Sequence, residues 1–157
     1  MLLDYDSHRK LKQYTQDLNR FYLKNPALWQ DDYSWNGFQW IVSDDKDNSV
    51  VAYLRKDNEG KQLISICNFT PVTRKGYKIG VPKSGTYSVV FSSADEKYGG
   101  RGESTAEKVR AKKQPMHGLP YSIELELEGL SAMFIKVPDT RKKITEGEAE
   151  KATPEIK

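Results

Sequence analysis

The hydrophobic pattern of this chain changes period at Asn25-Pro26, and that change constrains the fold more than any other feature. Before it, Leu11, Tyr14, Leu18, Phe21 and Tyr22 recur at spacings of three, four and seven, which places them on one face of a helix. Ser7 stands where an N-cap belongs, and Asn25 ends the helix because the residue before a proline disfavours helical dihedrals. The other face, with Lys10, Lys12, Gln16, Asp17, Asn19 and Lys24, is polar. Beyond Ala27 the signal is one of strands and turns. Residues 49–55 and 61–69, joined by Asp57-Asn58-Glu59-Gly60, form the clearest hairpin. Shorter strands are predicted at 37–42, 77–81, 85–91 and 131–137, with a polar turn at 44–48. Residues 121–127 alternate strictly, so Tyr121, Ile123, Leu125 and Leu127 should face a core while Ser122, Glu124 and Glu126 face water. Such a series predicts a mainly β fold, an antiparallel sandwich preceded by one helix.

A length of 157 residues suits one domain with flexible ends. The net charge of +3, from 25 basic and 22 acidic groups, is small and dispersed, which argues against a nucleic-acid partner. A single cysteine, Cys67, excludes an intramolecular disulfide and is expected to be a small buried residue of its strand. The first residues lack the apolar run of a signal peptide, and no stretch approaches the ~20 apolar residues of a membrane span. The expectation is a soluble, cytoplasmic protein with no membrane partner. Residues 93–115 read as a long polar loop, and residues 139–157 as a disordered tail whose Arg141-Lys142-Lys143 is solvated rather than bound to an anion.

The helix poses a question, since its apolar stripe must be buried somewhere. Either it packs on the β-domain or it is the last helix of a larger domain; periodicity does not separate the two.

Runs of residues along the chain do. They are Asp17-Leu18-Asn19-Arg20-Phe21-Tyr22, Asn25-Pro26-Ala27-Leu28-Trp29, Gly37-Phe38-Gln39-Trp40-Ile41 and Asp44-Asp45 through Asn48-Ser49-Val50. Cys67-Asn68-Phe69-Thr70-Pro71-Val72, Gly76-Tyr77-Lys78-Ile79-Gly80-Val81-Pro82, Gly85-Thr86-Tyr87, Tyr98-Gly99-Gly100 and His117-Gly118-Leu119-Pro120-Tyr121-Ser122 follow. In this order the runs are similar to the C-terminal part of bacterial 1,4-α-glucan (glycogen) branching enzymes of the α-amylase superfamily. Two departures stand out: Leu119 where many relatives carry arginine, and residues 103–114, which match nothing well.

The resemblance implies a Greek-key β-sandwich, the α-amylase C-terminal all-β domain, over residues 27–138. It implies that residues 1–26 are the terminal helix of a (β/α)₈ barrel whose strands, with the three catalytic carboxylates, precede Met1. The stripe Leu11, Tyr14, Leu18 and Phe21 is then the candidate barrel interface, and the barrel is the expected partner. The implied function is an accessory domain in glycogen biosynthesis that stabilises the barrel and contacts glucan, with no catalysis of its own. The alternative is a free-standing carbohydrate-binding module.

Catalytic and metal residues are expected to be absent. The adjacent pairs Asp31-Asp32 and Asp44-Asp45 read as turn residues rather than an acid/base pair, and His8 and His117 show no ligand spacing. His117 is assigned a local hydrogen bond that orders its loop. No cofactor is implied. Glucan binding would use exposed aromatic rings: Trp35, in the turn Ser34-Trp35-Asn36-Gly37, is the foremost candidate, with Tyr33, Trp40 and Tyr98, while Trp29 and Trp40 also suit core packing. A helix left without its barrel should expose part of its stripe or form a weak homodimer through it.

Overall fold

The computed structural model describes residues 4–102 and 106–139. Helix α1 (Asp6–Lys24) is followed by β1 (Phe38–Asp45), β2 (Val50–Lys56), β3 (Gln62–Asn68), β4 (Arg74–Val81), β5 (Thr86–Ser92), β6 (Lys108–Arg110), β7 (Tyr121–Leu127) and β8 (Ser131–Lys136). All pairings are antiparallel. Six strands form one sheet in the order β1-β2-β3-β8-β5-β6, and β4 pairs with β7 in a second. The chain thus leaves the large sheet after β3, returns for β5 and β6, leaves for β7 and returns as β8 between β3 and β5.

The β2–β3 hairpin closes on Asp57, whose carboxylate accepts the backbone N–H groups of Glu59 and Lys61 at 3.0 and 2.8 Å. Gly60 takes the positive φ of 81° that the turn requires. Ala52, Ile64, Ile66, Met133 and Ile135 of the large sheet meet Ile79, Val81, Ile123, Leu125 and Leu127 of the small one in a single core. Each such buried aliphatic side chain contributes roughly 1.5–3 kcal/mol. Tyr87 is wholly buried, and its hydroxyl accepts the Lys83 N–H at 3.1 Å while donating to the Lys83 carbonyl at 2.9 Å, the tyrosine-corner arrangement of sandwich folds.

Several local expectations need correction. Tyr5, not Ser7, precedes the helix, with no side-chain cap; Asp6 in the first turn pairs with Arg9 and Lys10 and suits the positive end of the helix dipole. Strand β1 continues through Asp44 and Asp45 before the turn begins. Ser122 is buried, flanked on one side by Gly80 of β4 and on the other by the segment after β6, which exchanges backbone hydrogen bonds with it through Lys112. Cys67 is half-buried outside the core, since the alternation of β3 turns it to the outer face of the large sheet, and burial there pushes its thiol pKa up. The loop after β5 is partly structured: Ser93 bonds Ala132 in both directions, and Glu96–Tyr98 forms a 3₁₀ turn against α1. The expected tail lies outside the described residues apart from Asp139.

The helix covers part of that outer face. Phe21 packs on Phe91 and Phe134 with ring centroids 5.2 and 5.0 Å apart, and Tyr14 lies 6.0 Å from Phe91 and 5.3 Å from Tyr98.

Candidate glucan-contact surface

The outer face beyond the helix carries an aromatic patch that arises directly from strand alternation. Phe38 and Trp40, two apart on β1, point outward beside Tyr53 of β2, which is the register partner of Trp40. Phe38 lies 5.0 Å edge-on to Trp40 and 5.4 Å stacked on Tyr53, and Trp40 and Tyr53 are 6.0 Å apart. Trp35 joins through Phe38 at 6.3 Å. Trp40 is therefore not a core residue: it sits on an edge strand with 48% of its surface exposed, and Trp29 is exposed to 40%.

Trp35 and Tyr33 stand on a turn built to hold them outward. The Asp31 carboxylate accepts the Ser34 N–H at 3.1 Å and the Ser34 hydroxyl. That hydroxyl in turn accepts the Asn36 N–H at 3.2 Å. Gly37 closes the turn where a Cβ would stand 2.3 Å from the Asp31 carbonyl oxygen, so no larger residue fits without displacement. Tyr33 is exposed to 92% and Trp35 to 82%. The segment is anchored to the sheet by Arg55, which donates to the carbonyls of Ala27 and Asp31 at 3.1 Å each and pairs with the Asp32 carboxylate. Arg55 escaped the sequence reading; its signal was a cation in an otherwise apolar strand.

Between α1 and β2 the patch runs into a cleft of about 430 Å³ lined by Leu18, Asn19, Tyr22, Leu28, Tyr53, Arg55 and Phe134. Tyr53 belongs to both. Flat rings beside a polar amide suit the apolar faces and hydroxyls of a sugar.

Of the four candidate rings, three lie on or beside this patch. Tyr98 does not: its ring packs between Tyr14 and Phe91, and its hydroxyl donates to Asp17 at 3.0 Å. Burial first, and Asp17 second, raise its pKa against the opposing Lys97, whose ammonium lies 4.6 Å over the ring. Of the stripe, Tyr14, Leu18 and Phe21 are half-buried against the sheet, while Leu11 is 63% exposed. Tyr22 and Leu23 are also exposed, to 42% and 70%.

Of the paired carboxylates, Asp31 holds the turn at Ser34, Asp32 pairs with Arg55, and Asp45 is engaged at the end of β1. Asp45 accepts from the Asn48 backbone and amide and from the Tyr77 hydroxyl at 2.6 Å. Desolvation raises the Asp45 pKa, but the bonds from Tyr77 and Asn48 and the charge of Arg74 outweigh it and hold it below the usual carboxylate value. His117 accepts the Gly80 N–H at Nδ1, 3.1 Å away, in a loop that passes so close to Gly80 that a Cβ there would stand 2.0 Å from the Met116 carbonyl oxygen. Among the described residues no three His, Cys, Asp or Glu side chains gather where a metal ion could be held, and no helix is long and apolar enough to cross a membrane.

Residues 40–138 match the family described as alpha amylase, C-terminal all-beta domain. The chain is also similar to larger curated proteins. It is 42% identical over 137 residues to the 1,4-alpha-glucan branching enzyme GlgB of Halothermothrix orenii, covering 87% of this chain and 22% of that protein. It is 40% identical to the enzyme of the same name from Aquifex aeolicus (86% and 22%) and to that of Burkholderia vietnamiensis (85% and 18%). The chain spans about a fifth of the length of these relatives. With its antiparallel sheets and the profile match across most of its strands, the chain belongs to the α-amylase C-terminal all-β domain family, and it corresponds to the C-terminal domain of glycogen branching enzymes.

Proposed function

We propose that this chain acts as the accessory β-domain of a cytoplasmic glycogen branching enzyme, a 1,4-α-glucan 6-glycosyltransferase. In this reading a (β/α)₈ barrel supplies the catalytic carboxylates, residues 1–26 are that barrel's terminal helix and residues 27–138 the sandwich. The observation that carries it is the similarity over 87% of this chain to a fifth of a branching enzyme. The helix supports it as well. One side rests on the sheet through Tyr14, Leu18 and Phe21, while Leu11, Tyr22 and Leu23 remain exposed, so the barrel can cover what the sheet does not. The aromatic patch then supplies a contact for glucan chains, with Trp35 and Tyr33 outermost, Trp40 behind them, and Tyr98 supporting the helix. Migration of the purified chain through a glycogen-containing native gel tests that contact. Retardation that Trp35→Ala abolishes, with folding unchanged, is expected; equal migration with and without glycogen contradicts it.

The seating of Tyr14, Leu18 and Phe21 on the chain's own sheet favours, as a second reading, a free-standing carbohydrate-binding module. Sedimentation separates the two. An accessory domain should dimerise weakly through Leu11, Tyr22 and Leu23 and bind an apolar dye, whereas a module should remain a clean monomer at high concentration.

A further inference from the structure

Two turns at one end of the sandwich are locked together by a single side chain. The buried Asn68 amide donates to the carbonyls of Val72 and Glu128 at 2.8 and 2.9 Å, and its oxygen accepts the Thr70 N–H at 3.0 Å. The turn after β3 is thereby fixed to the turn between β7 and β8. Gly129 closes the joint, since a Cβ there would stand 2.3 Å from the Pro71 carbonyl oxygen. The Leu130 N–H adds a bond to the Thr70 carbonyl at 2.7 Å.

What this rigid joint presents is apolar. Leu130 is 70% exposed and Phe69 63%. Leu130 also takes a left-handed φ of 51°, at a cost that glycine would avoid. A side chain so exposed gains little within the chain to offset that cost. A backbone held in strain to display an apolar side chain, on a framework already rigid, is what a contact surface requires. Leu11 of α1 lines the same open cleft of about 470 Å³ as Phe69 and Leu130.

One occupant fits this face. The branching enzymes that the chain matches extend well beyond it, since it spans about a fifth of their length and corresponds to their C-terminal domain. Their remaining sequence therefore joins this domain through the segment that precedes α1. The helix begins at Asp6, five residues before Leu11, which is about 8 Å along the axis. A body tethered there meets the cleft at high effective concentration. The aromatic patch, by contrast, adjoins the helix through the cleft at Leu18 and Tyr22, toward its other end.

We propose, on the accessory-domain reading, that the barrel of the branching enzyme docks on this end of the sandwich and buries Leu130, Phe69 and Leu11 together. The interface runs from the first half of α1 onto the two turns joined at Asn68, surfaces that helical spacing alone does not connect.

The test compares the isolated chain with a chimaera in which the chain replaces the matching segment of the Halothermothrix orenii branching enzyme. Leu130→Gly deletes the apolar side chain and suits the left-handed backbone. The isolated variant should melt at or above the temperature of the unsubstituted chain. The chimaera carrying it should melt about 3 °C lower and lose branching activity severalfold. Leu130→Asp should lower the chimaera further, with the isolated chain again unchanged. An active chimaera unaffected by both variants would overturn the docking face and leave the accessory-domain reading standing. Equal losses in the isolated chain and the chimaera would assign Leu130 to internal packing and overturn it too. So would self-association of the isolated chain that Leu130→Asp abolishes without effect on the chimaera, which would make the face a contact between copies. An inactive unsubstituted chimaera would overturn the reading on which the proposal rests.

Discussion

Tyr77 and Asp45 illustrate how a single contact between sheets sets a pH response. Burial, together with the adjacent Asp45 carboxylate, moves the Tyr77 pKa well above that of a free tyrosine. The neutral phenol is therefore the form the fold prefers. Its contribution is fully present below the unfolded value of about 10 and is lost as pH rises beyond it. Chemical denaturation across pH 8–12 should show stability falling above about pH 10, and Tyr77→Phe should flatten that fall while costing about 1–2 kcal/mol at neutral pH. Asp45 runs the other way: its lowered pKa adds stability above the unfolded value, lost as pH falls through the folded one. Asn68 carries more than either. Its buried amide donates to the carbonyls of Val72 and Glu128, and its oxygen accepts the Thr70 N–H and hydroxyl. Asn68→Ala should cost about 2–4 kcal/mol in urea denaturation, since it leaves several buried groups unpaired at once.

At the scale of elements, the helix and the sheet beneath it depend on one another. Phe21 bridges Phe91 of β5 and Phe134 of β8, so Phe21→Ala should lower stability by about 2–3 kcal/mol and expose apolar dye-binding surface. How much of this was legible follows from what periodicity can carry. The β2–β3 hairpin and the strand at 121–127 were readable because alternation and turn residues are local signals. The seat of the stripe was not, because spacing shows which residues share a face and is silent about what lies opposite. Ser122 misled for the same reason: alternation put it on the solvent side, yet the preceding segment pairs with it through Lys112 and it is buried. Trp35 was legible as an exposed ring from its turn, whereas Trp40 was not, because only the pairing of β1 as an edge strand leaves its outer face open.

For the whole molecule, the large sheet has two faces with different duties. The inner face closes the core with β4 and β7. The outer is shared between the helix and an open aromatic patch. A domain with these surfaces is suited to being held by, and to holding, something larger. The direct test is to remove the matching segment from the Halothermothrix orenii branching enzyme and put this chain in its place, then follow branching of amylose by loss of iodine colour. The account predicts that the truncated enzyme loses most of its activity and that the chimaera recovers it, while this chain alone produces no branches. A truncated enzyme as active as the intact one, a folded chimaera as inactive as the truncation, or branching by this chain alone would contradict it.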